Sequence, residues 1–291
     1  MIGQIFSIVA PVFGLVLVGW LYACRHGPDM RAANRVNLEV FTPALIFHVL
    51  SAKDFRIAEY AELALGAALV VLGSGLVALL VARSIGCAYR TLIPPTMFNN
   101  SGNMGLPLAV LAFGEQALAA AVVVFLIENL LHFTVGVRIL DPRAGLAGLL
   151  RLPLVVACLV GIGFSLLEIR VPGPLATGVE MLGQVSIPLM LFSLGVRLKE
   201  ADWSCWRLGL LGGMLCPAAG LLAAIPALVF LPLEGYLSRQ LILFAVLPPA
   251  VLNYVLAEQY RQEPDAVAAI VIWGNLAALV TIPLTLAVLL R

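Results

Sequence analysis

One stretch of fifteen residues decides the fold of this chain: Ile93-Pro-Pro-Thr-Met-Phe-Asn-Asn-Ser-Gly-Asn-Met-Gly-Leu-Pro107. It lies inside a long apolar segment that is otherwise typical of a helix. Proline removes a backbone donor and clashes with the carbonyl four residues earlier, and glycine lowers helix stability. The stretch therefore predicts a helix that is interrupted near its centre, with Asn99, Asn100 and Asn103 at the interruption.

The composition of the whole chain indicates that its solvent is a bilayer. Of the 291 residues, 62% are hydrophobic and 11% are charged, whereas soluble domains average about 45–50% apolar and about 25% charged residues. The 17 basic and 16 acidic residues are too few to cover the surface of two soluble domains, which is the number that the length suggests. The sequence predicts an all-α integral membrane protein.

Ten segments are long and apolar enough to span a bilayer, for which a helix needs about 20 residues. A polar connection, 141–151, separates five spans in residues 1–140 from five spans in residues 152–291. The clusters of charged residues, proline and glycine limit the spans to 2–23, 33–52, 60–82, 91–113, 115–138, 152–168, 174–197, 204–231, 238–260 and 265–290.

The distribution of Lys and Arg predicts the orientation of these spans, because positive residues stay on the cytoplasmic side. Twelve basic residues lie in the connections that follow odd-numbered spans, and five lie on the other side, where both chain ends are counted. Both termini are therefore predicted to lie outside the cytoplasm, with the connection 141–151 inside.

The two halves carry matching motifs in the same order. Ile93-Pro-Pro-Thr-Met-Phe-Asn99 of span four aligns with Leu247-Pro-Pro-Ala-Val-Leu-Asn253 of span nine. Val40-Phe-Thr-Pro-Ala-Leu-Ile-Phe47 of span two aligns with Val185-Ser-Ile-Pro-Leu-Met-Leu-Phe192 of span seven. Two copies of five spans have opposite topologies. The sequence thus predicts a five-plus-five inverted repeat in which the fourth and ninth helices are interrupted.

The paired interruptions predict a ligand site at the midplane of the membrane. Helix N-termini at an interruption present free N–H groups and a partial positive charge, which suit an anion, and asparagine amides can donate to a carboxylate. The alternative is that the kinks only shape packing and that the amides bond neighbouring helices. The predicted binding residues are Asn99, Asn100, Gly102, Asn103, Gly105, Pro107, Pro248, Pro249 and Asn253.

Ionisable residues at membrane depth form a second group of candidates, since each costs roughly 2.5–3.5 kcal/mol on insertion scales when it is central. Glu128 lies near the middle of span five, and His132 shares its helix face one turn later. With Asn129 and Asn275, they are predicted either to couple transport to protons or sodium or to brace the interrupted helix. The sequence leaves both roles open.

Several classes of function are excluded by the sequence. A net charge of +1 with only two lysines offers no basic surface for nucleic acid. No Gly-Lys pair for a phosphate loop is present, nor a Gly-x-Ser-x-Gly or His-Glu-x-x-His motif, so an ATP-driven pump and an enzyme are not expected. The five cysteines are scattered without a Cys-x-x-Cys pair, which predicts no metal site and no resident cofactor.

Three stretches resemble the auxin efflux carrier family, which comprises the plant PIN-type carriers and bacterial relatives named as malonate or malate permeases. They are Asn100-Ser-Gly-Asn-Met-Gly-Leu-Pro-Leu108, Val185-Ser-Ile-Pro-Leu-Met-Leu-Phe-Ser-Leu-Gly195, and Tyr254-Val-Leu-Ala-Glu-Gln-Tyr260 followed by Pro264-Asp265. The resemblance implies a fold akin to bile-acid symporters and sodium/proton antiporters, with two interrupted helices that cross at the substrate.

The same resemblance implies a division of labour among the spans. Spans one, two, six and seven are expected to form a scaffold and the interface of a homodimer, and the other six spans are expected to form a moving transport domain. Asn100 and Asn253, with the backbone at Gly102 and Gly105, are expected to contact a carboxylate of the substrate.

The predicted function is a secondary-active or facilitative transporter of a small organic anion, which works by an elevator movement. The anion is a carboxylate such as malate or malonate, or an auxin-like acid, and the location is the inner membrane of a bacterial cell. Two alternatives stay open: a sodium- or proton-coupled cation antiporter, for which Glu128 and His132 are suited, and a membrane sensor that binds a ligand without transporting it.

Overall fold

The computed structural model describes residues 2–52, 55–144, 152–199 and 205–290, and these residues are all-helical apart from connections and one isolated β-bridge. Most of the predicted central connection 141–151 lies outside the described residues. The helices are α1 (Ile2–His26), α2 (Arg31–Val36), α3 (Thr42–Leu50), α4 (Ala61–Ile85), α5 (Tyr89–Met97), α6 (Leu106–Phe113), α7 (Ala117–Leu131), α8 (Val137–Leu140), α9 (Pro153–Leu166), α10 (Gly173–Lys199), α11 (Trp206–Phe230), α12 (Tyr236–Ala245), α13 (Leu252–Gln259) and α14 (Pro264–Leu289).

Four short helical turns of other geometry connect some of these helices. One is a 3-10 turn, and the other three are π-helical turns that continue directly into the next α-helix. The 3-10 turn is Ile57–Tyr60, and the π-helical turns are Asn37–Phe41, Ser101–Gly105 and His132–Gly136.

Within the described ranges, six helices are long and apolar enough to cross a bilayer, which confirms the prediction of an all-α integral membrane protein. They are Ile2–His26, Ile57–Ile85, Ala117–Leu140, Gly173–Lys199, Trp206–Phe230 and Pro264–Leu289. The other four predicted spans coincide with shorter or divided helices, such as Pro153–Leu166. The total of ten spans therefore stays a prediction.

The helices pack in two groups. In the first helix group, α10 lies against α1, α2 and α3, and α3 also packs on α9. In the second helix group, which holds α4–α8 and α11–α14, α11 packs on α4, α5 and α14, and α4 packs on α7. The groups meet where α1 contacts α6 and α14, and where α10 contacts the π-helical turn Ser101–Gly105.

Glycine permits the closest helix contact of the first helix group. A Cβ atom added to Gly19 of α1 would lie 2.1 Å from the carbonyl oxygen of Phe192, and one added to Gly195 of α10 would lie 1.9 Å from that of Val16. Both helices are uninterrupted at these positions. Because neither position tolerates a side chain, α1 and α10 touch backbone to backbone.

Candidate functional site

Two interrupted helices of the second helix group meet at their interruptions. The helix that begins with α5 stops at Met97, and helical structure resumes in the π-helical turn at Ser101. The helix that begins with α12 stops at Ala245 and resumes at Leu252. Within the two non-helical stretches, Phe98–Asn100 and Pro248–Ala250 lie side by side, and we call these six residues the junction.

Backbone hydrogen bonds connect the two halves of the junction. Asn99 and Pro249 form an antiparallel β-bridge. The N–H of Asn100 donates to the carbonyl of Pro248 at 2.7 Å, and the N–H of Ala250 donates to the carbonyl of Phe98 at 3.0 Å. Since lipid offers no partner for such groups, each interrupted helix satisfies part of the other's backbone.

Asparagine side chains satisfy further carbonyl groups at the junction. Asn99 Nδ2 donates to the carbonyl of Phe244, where α12 ends, at 2.8 Å. Asn253 Nδ2 donates to the carbonyl of Phe98, also at 2.8 Å, and to that of Ala250 at 3.0 Å. Helix ends leave carbonyls without intrahelical partners, so these two amides act as side-chain caps across the junction.

Asn275 of α14 fixes the junction to the helix behind it. Its Nδ2 atom donates to the carbonyls of Pro249 and Val271, at 3.0 and 2.8 Å. Its Oδ1 atom accepts a hydrogen bond from Asn100 Nδ2 at 3.1 Å. Asn275 therefore contacts both interrupted helices.

A cavity of about 390 Å³ lies between the two helix groups and reaches the junction. Its lining comes from both groups and includes the first turn of the helix that resumes at Ser101. The polar lining residues are Asn34, Asn37, Glu39, Thr42, Asn99, Asn100, Ser101, Asn103, Glu128, Asn129, His132, Ser193 and Arg197.

The structure places seven of the thirteen predicted site residues on the wall of this cavity: Asn99, Asn100, Gly102, Asn103, Glu128, Asn129 and His132. The other six, Gly105, Pro107, Pro248, Pro249, Asn253 and Asn275, lie outside its lining. Pro249, Asn253 and Asn275 instead form hydrogen bonds or a β-bridge at the junction. A Cβ atom added to Gly105, for example, would lie 2.9 Å from Leu247 Cδ1, so this glycine permits close packing between the interrupted helices.

All three π-helical turns contribute to the cavity. Asn37 lies in the first, Ser101 and Asn103 lie in the second, and His132 lies in the third. A π-helical turn adds a residue to a helix and redirects the side chains that follow, and such turns are frequent at functional sites. The sequence carries no local signal for these turns, and none was predicted.

Sequence reasoning also missed the wall formed by α10. Met190, Ser193, Leu194 and Arg197 line the cavity, and their spacing places them on one helix face over about 10 Å. Arg197 is partly buried, and among the described residues it makes no hydrogen bond or ion pair. The sequence carries no local signal for this position, because only the packing of α10 shows which of its faces lines the cavity.

Five buried polar atoms on the cavity wall have no hydrogen-bond partner among the described residues. Buried polar groups are normally hydrogen-bonded, so this concentration of unpaired atoms in one cavity is unusual. The atoms are Asn37 Oδ1, Asn99 Oδ1, Glu128 Oε2, His132 Nε2 and Ser193 Oγ.

Glu128 and His132 connect the cavity with the junction. The Glu128 carboxyl interacts with the side chain of Ser101 and the backbone of Asn99. The His132 imidazole stacks on the ring of Phe98, with centroids 4.0 Å apart and an angle of 7° between the planes. The carbonyl of Phe98 accepts hydrogen bonds from the N–H of Ala250 and from Asn253 Nδ2. The face that carries Glu128 and His132, in α7 and the π-helical turn that follows it, therefore packs against the junction.

Comparison with known proteins relates the chain to transporters. A family model described as membrane transport protein matches residues 146–286. The chain is 26% identical to a protein provisionally named as a malonate transporter from Rhizobium meliloti, over 96% of this chain and 94% of that protein. It is 24% identical to an uncharacterised transporter from Methanocaldococcus jannaschii, over 90% of this chain and 92% of that protein.

A plant protein shares a shorter region with this chain. Auxin efflux carrier component 1 of Arabidopsis thaliana is 29% identical over 145 residues, which are 47% of this chain and 23% of that protein. The predicted resemblance to the auxin efflux carrier family is thereby confirmed. The matched proteins are transporters and not enzymes, in agreement with the sequence prediction.

Proposed function

From the premise that this chain is a membrane transporter related to the auxin efflux carriers, we propose that it carries a small organic anion with a carboxylate group. The binding site is the cavity between the two helix groups. The substrate lies against the first turn of the helix that resumes at Ser101, next to Asn100 and Asn103.

The observation that carries this proposal is a helix start and an arginine that line the same small cavity. The first N–H groups of the helical segment Ser101–Phe113 have no preceding turn to bond to, so they attract an anion. Arg197 adds a full positive charge to the opposite wall, and arginine matches the geometry of a carboxylate. The volume of about 390 Å³ suits a compact ligand.

The relative from Rhizobium meliloti is named for malonate, and we extend that class of substrate, the short-chain dicarboxylates, to this chain. One carboxylate would bind at Ser101 and Asn103, and the other would bind at Arg197. An auxin-like acid with a single carboxylate would use only the first of these positions.

The packing of the helices supports an elevator mechanism. The first helix group contains the helices expected in the scaffold, and the second contains those expected in the transport domain. A cavity between two such groups is opened and closed when one group moves against the other. Asn34, Leu152 and Arg197 line the cavity and flank connections predicted to be cytoplasmic, which supports an inward-facing conformation.

The proposal also includes the number of membrane spans, their orientation, the dimer and the location of the protein. All ten predicted segments span the membrane as an inverted five-plus-five repeat, with both termini outside the cytoplasm. The first helix group forms a homodimer interface, and the protein resides in the bacterial inner membrane. Cysteine scanning with impermeant reagents tests the orientation, because it labels only residues that face the added reagent.

A transport measurement on purified protein in liposomes tests the proposed function. The wild-type protein is expected to exchange internal malonate for external labelled malonate. Arg197→Gln is expected to weaken malonate binding by about 10- to 100-fold, because the lost ion pair is partly buried and a charge-assisted hydrogen bond contributes about 1.5–3 kcal/mol. Asn100→Ala is expected to lower transport as well, through loss of an amide on the wall.

Arg207→Gln is the matched control, since Arg207 is exposed and lies outside the cavity. If a panel of mono- and dicarboxylates gives no exchange with the wild-type protein, the assignment to an organic anion is wrong. Movement of cations without any organic substrate would identify the antiporter alternative. Binding of a carboxylate without flux would identify the sensor.

A further inference from the structure

We propose that Glu128 binds a proton when the substrate anion binds, so that this protein is an anion–proton symporter. The inference rests on the proposed function, because it assigns the coupling ion of the same site. The proton is taken from the solution, where a buffer acid or hydronium ion gives it up and its conjugate base remains. It is held on the Glu128 carboxylate and is returned to the solution on the other side of the membrane together with the anion. No other bond forms or breaks.

The first step is geometric. Glu128 is 2% exposed, lines the cavity, and has one carboxylate oxygen, Oε2, without a hydrogen-bond partner among the described residues. Its neighbours are Ser101 and the backbone of Asn99. These groups belong to the helix start at which the substrate carboxylate is proposed to bind. The proton site and the anion site are therefore adjacent.

The second step is electrostatic. Two unit charges about 6 Å apart fit inside this cavity, and their repulsion at an effective dielectric constant of about 20 weakens binding roughly 100-fold. An ionised Glu128 therefore opposes the substrate anion, and a protonated Glu128 does not. A protonated carboxyl also becomes a hydrogen-bond donor and can donate to the anion. Binding of the anion and uptake of a proton thus favour each other.

The third step concerns the titratable and charged groups that lie near Glu128. His132 lies one turn later on the same helix, and Cys216 of α11 interacts with Glu128 as well. Arg197 and Glu39 line the cavity from the first helix group. Glu39 is exposed and lies 3.6 Å from Arg35, so its charge is already balanced there. The helices α3, α4, α6 and α12 also pack on α7. Among their described residues, no charged group interacts with the Glu128 carboxyl.

Arg197 supplies one positive charge, whereas an ionised Glu128 and the substrate carboxylate are two negative charges that it could balance. Arg197 can balance either an ionised Glu128 or a substrate carboxylate. His132 stacks on Phe98 and supports the junction, which makes it a positioning residue in this scheme. Protonation of Glu128 leaves Arg197 to the substrate, and this is the physical basis of the coupling.

The experiment counts protons during ligand binding. The full chain is purified in detergent. Binding is first established by thermal shift with a panel of carboxylates that includes malonate. Titration calorimetry with malonate follows. Two buffers of different ionisation enthalpy are compared over a pH range in which malonate stays fully ionised. The wild-type protein is expected to take up about one proton per malonate, with an affinity that falls up to tenfold for each pH unit. Glu128→Gln is expected to bind malonate without proton uptake and without this pH dependence.

His132→Asn is the matched variant, since it lies on the same helix face and keeps Glu128. It is expected to retain proton uptake, with weaker binding. The inference is overturned if wild-type protein binds malonate without taking up a proton, if Glu128→Gln takes up as many protons as wild type, or if His132→Asn alone abolishes the uptake. A requirement for sodium in place of the pH dependence overturns it too.

The same measurements distinguish a failure of the organic-anion assignment from a failure of the proton coupling. If no carboxylate of the panel binds to the wild-type protein, the organic-anion assignment is wrong and the coupling inference is wrong with it. If Glu128→Gln does not fold, the proton count of the wild-type protein still decides whether coupling exists. Glu128→Asp, which keeps a titrating group but moves it, is then expected to retain the proton uptake with a shifted pH dependence, and an unchanged pH dependence would contradict the assignment to Glu128.

Discussion

The junction and the contact between α1 and α10 both bring backbones together inside the membrane, but they do so by different means. At the α1–α10 contact, Gly19 and Gly195 remove the side chains that would separate two intact helices. At the junction, helices are interrupted, and hydrogen bonds from Asn99 and Asn253 satisfy carbonyls across the gap. One contact depends on small residues, and the other depends on polar residues.

The physical reason for this difference is the state of the backbone. An intact helix bonds its own N–H and C=O groups, so two such helices need only close packing. An interrupted helix presents free polar groups, which protein or a water-filled cavity must satisfy. The junction satisfies some of these groups internally and leaves others on the cavity wall. These unsatisfied polar groups on the cavity wall suit the junction to bind a ligand. The α1–α10 contact has no such groups to offer, because its helices are intact.

The largest expected effect concerns the α1–α10 contact. In Gly195→Ala the new methyl group meets the carbonyl oxygen of Val16, 1.9 Å from the ideal Cβ position. The backbones must separate, and we expect a loss of about 3 kcal/mol or more of stability, at the upper end of overpacking effects. The midpoint of thermal unfolding in detergent measures this loss.

Gly178→Ala is the matched control on the same helix, because nothing lies within 4 Å of its Cβ position. It is expected to leave stability unchanged or raise it by up to about 1 kcal/mol, since alanine favours helix. Equal midpoints for the two variants would show that the backbones of α1 and α10 do not touch.

An intermediate effect is expected at the junction. Asn253→Ala removes the donor to the carbonyl of Phe98, which keeps one hydrogen bond from Ala250. We expect a loss of about 1–2 kcal/mol, in the lower part of the range of about 1–3 kcal/mol for a buried polar group that loses a partner, because the carbonyl keeps one. Asn129→Ala is the control for stability, because Asn129 donates within its own helix, to the Phe125 carbonyl. If both variants unfold at the same temperature, the hydrogen bonds across the junction do not stabilise the protein.

The smallest effect is expected for a polar pair between intact helices. Thr42 Oγ1 and Ser186 Oγ are buried and 2.9 Å apart. Thr42→Val and Ser186→Ala are each expected to cost about 1 kcal/mol, and the double variant about the same as either one, because it leaves no unpaired hydroxyl. A double-mutant cycle measures the coupling. Strict additivity would contradict the hydrogen bond and would remove the contrast with the asparagines of the junction.

Local chemistry accounts for the parts of the site that the sequence predicted. Pro248 and Pro249 lack the N–H groups that a continuous helix needs, and Gly102 and Gly105 weaken the helix that contains them. The non-helical residues of the structure lie beside these positions. The sequence predicts Glu128 and His132 as site residues because ionisable residues are rare at membrane depth, and both line the cavity.

The other wall of the cavity could not be predicted in the same way. Arg197 and Asn37 lie in segments that are distant in the chain from the interruptions, and each is ordinary in its local sequence. Packing of the two helix groups brings them to the cavity. The π-helical turn Asn37–Phe41 redirects the side chains around it.

The sequence by itself determined the solvent, the helical character and the places where helices stop, because hydropathy and the chemistry of proline and glycine act over a few neighbouring residues. The tertiary structure alone decided which polar atoms are satisfied and which face the cavity, because that depends on partners from other helices. Asn253 illustrates this difference. Its place after Pro248 and Pro249 in the sequence predicts that it lies at the interruption. Only the position of Phe98, from the other interrupted helix, makes its amide a brace of the junction.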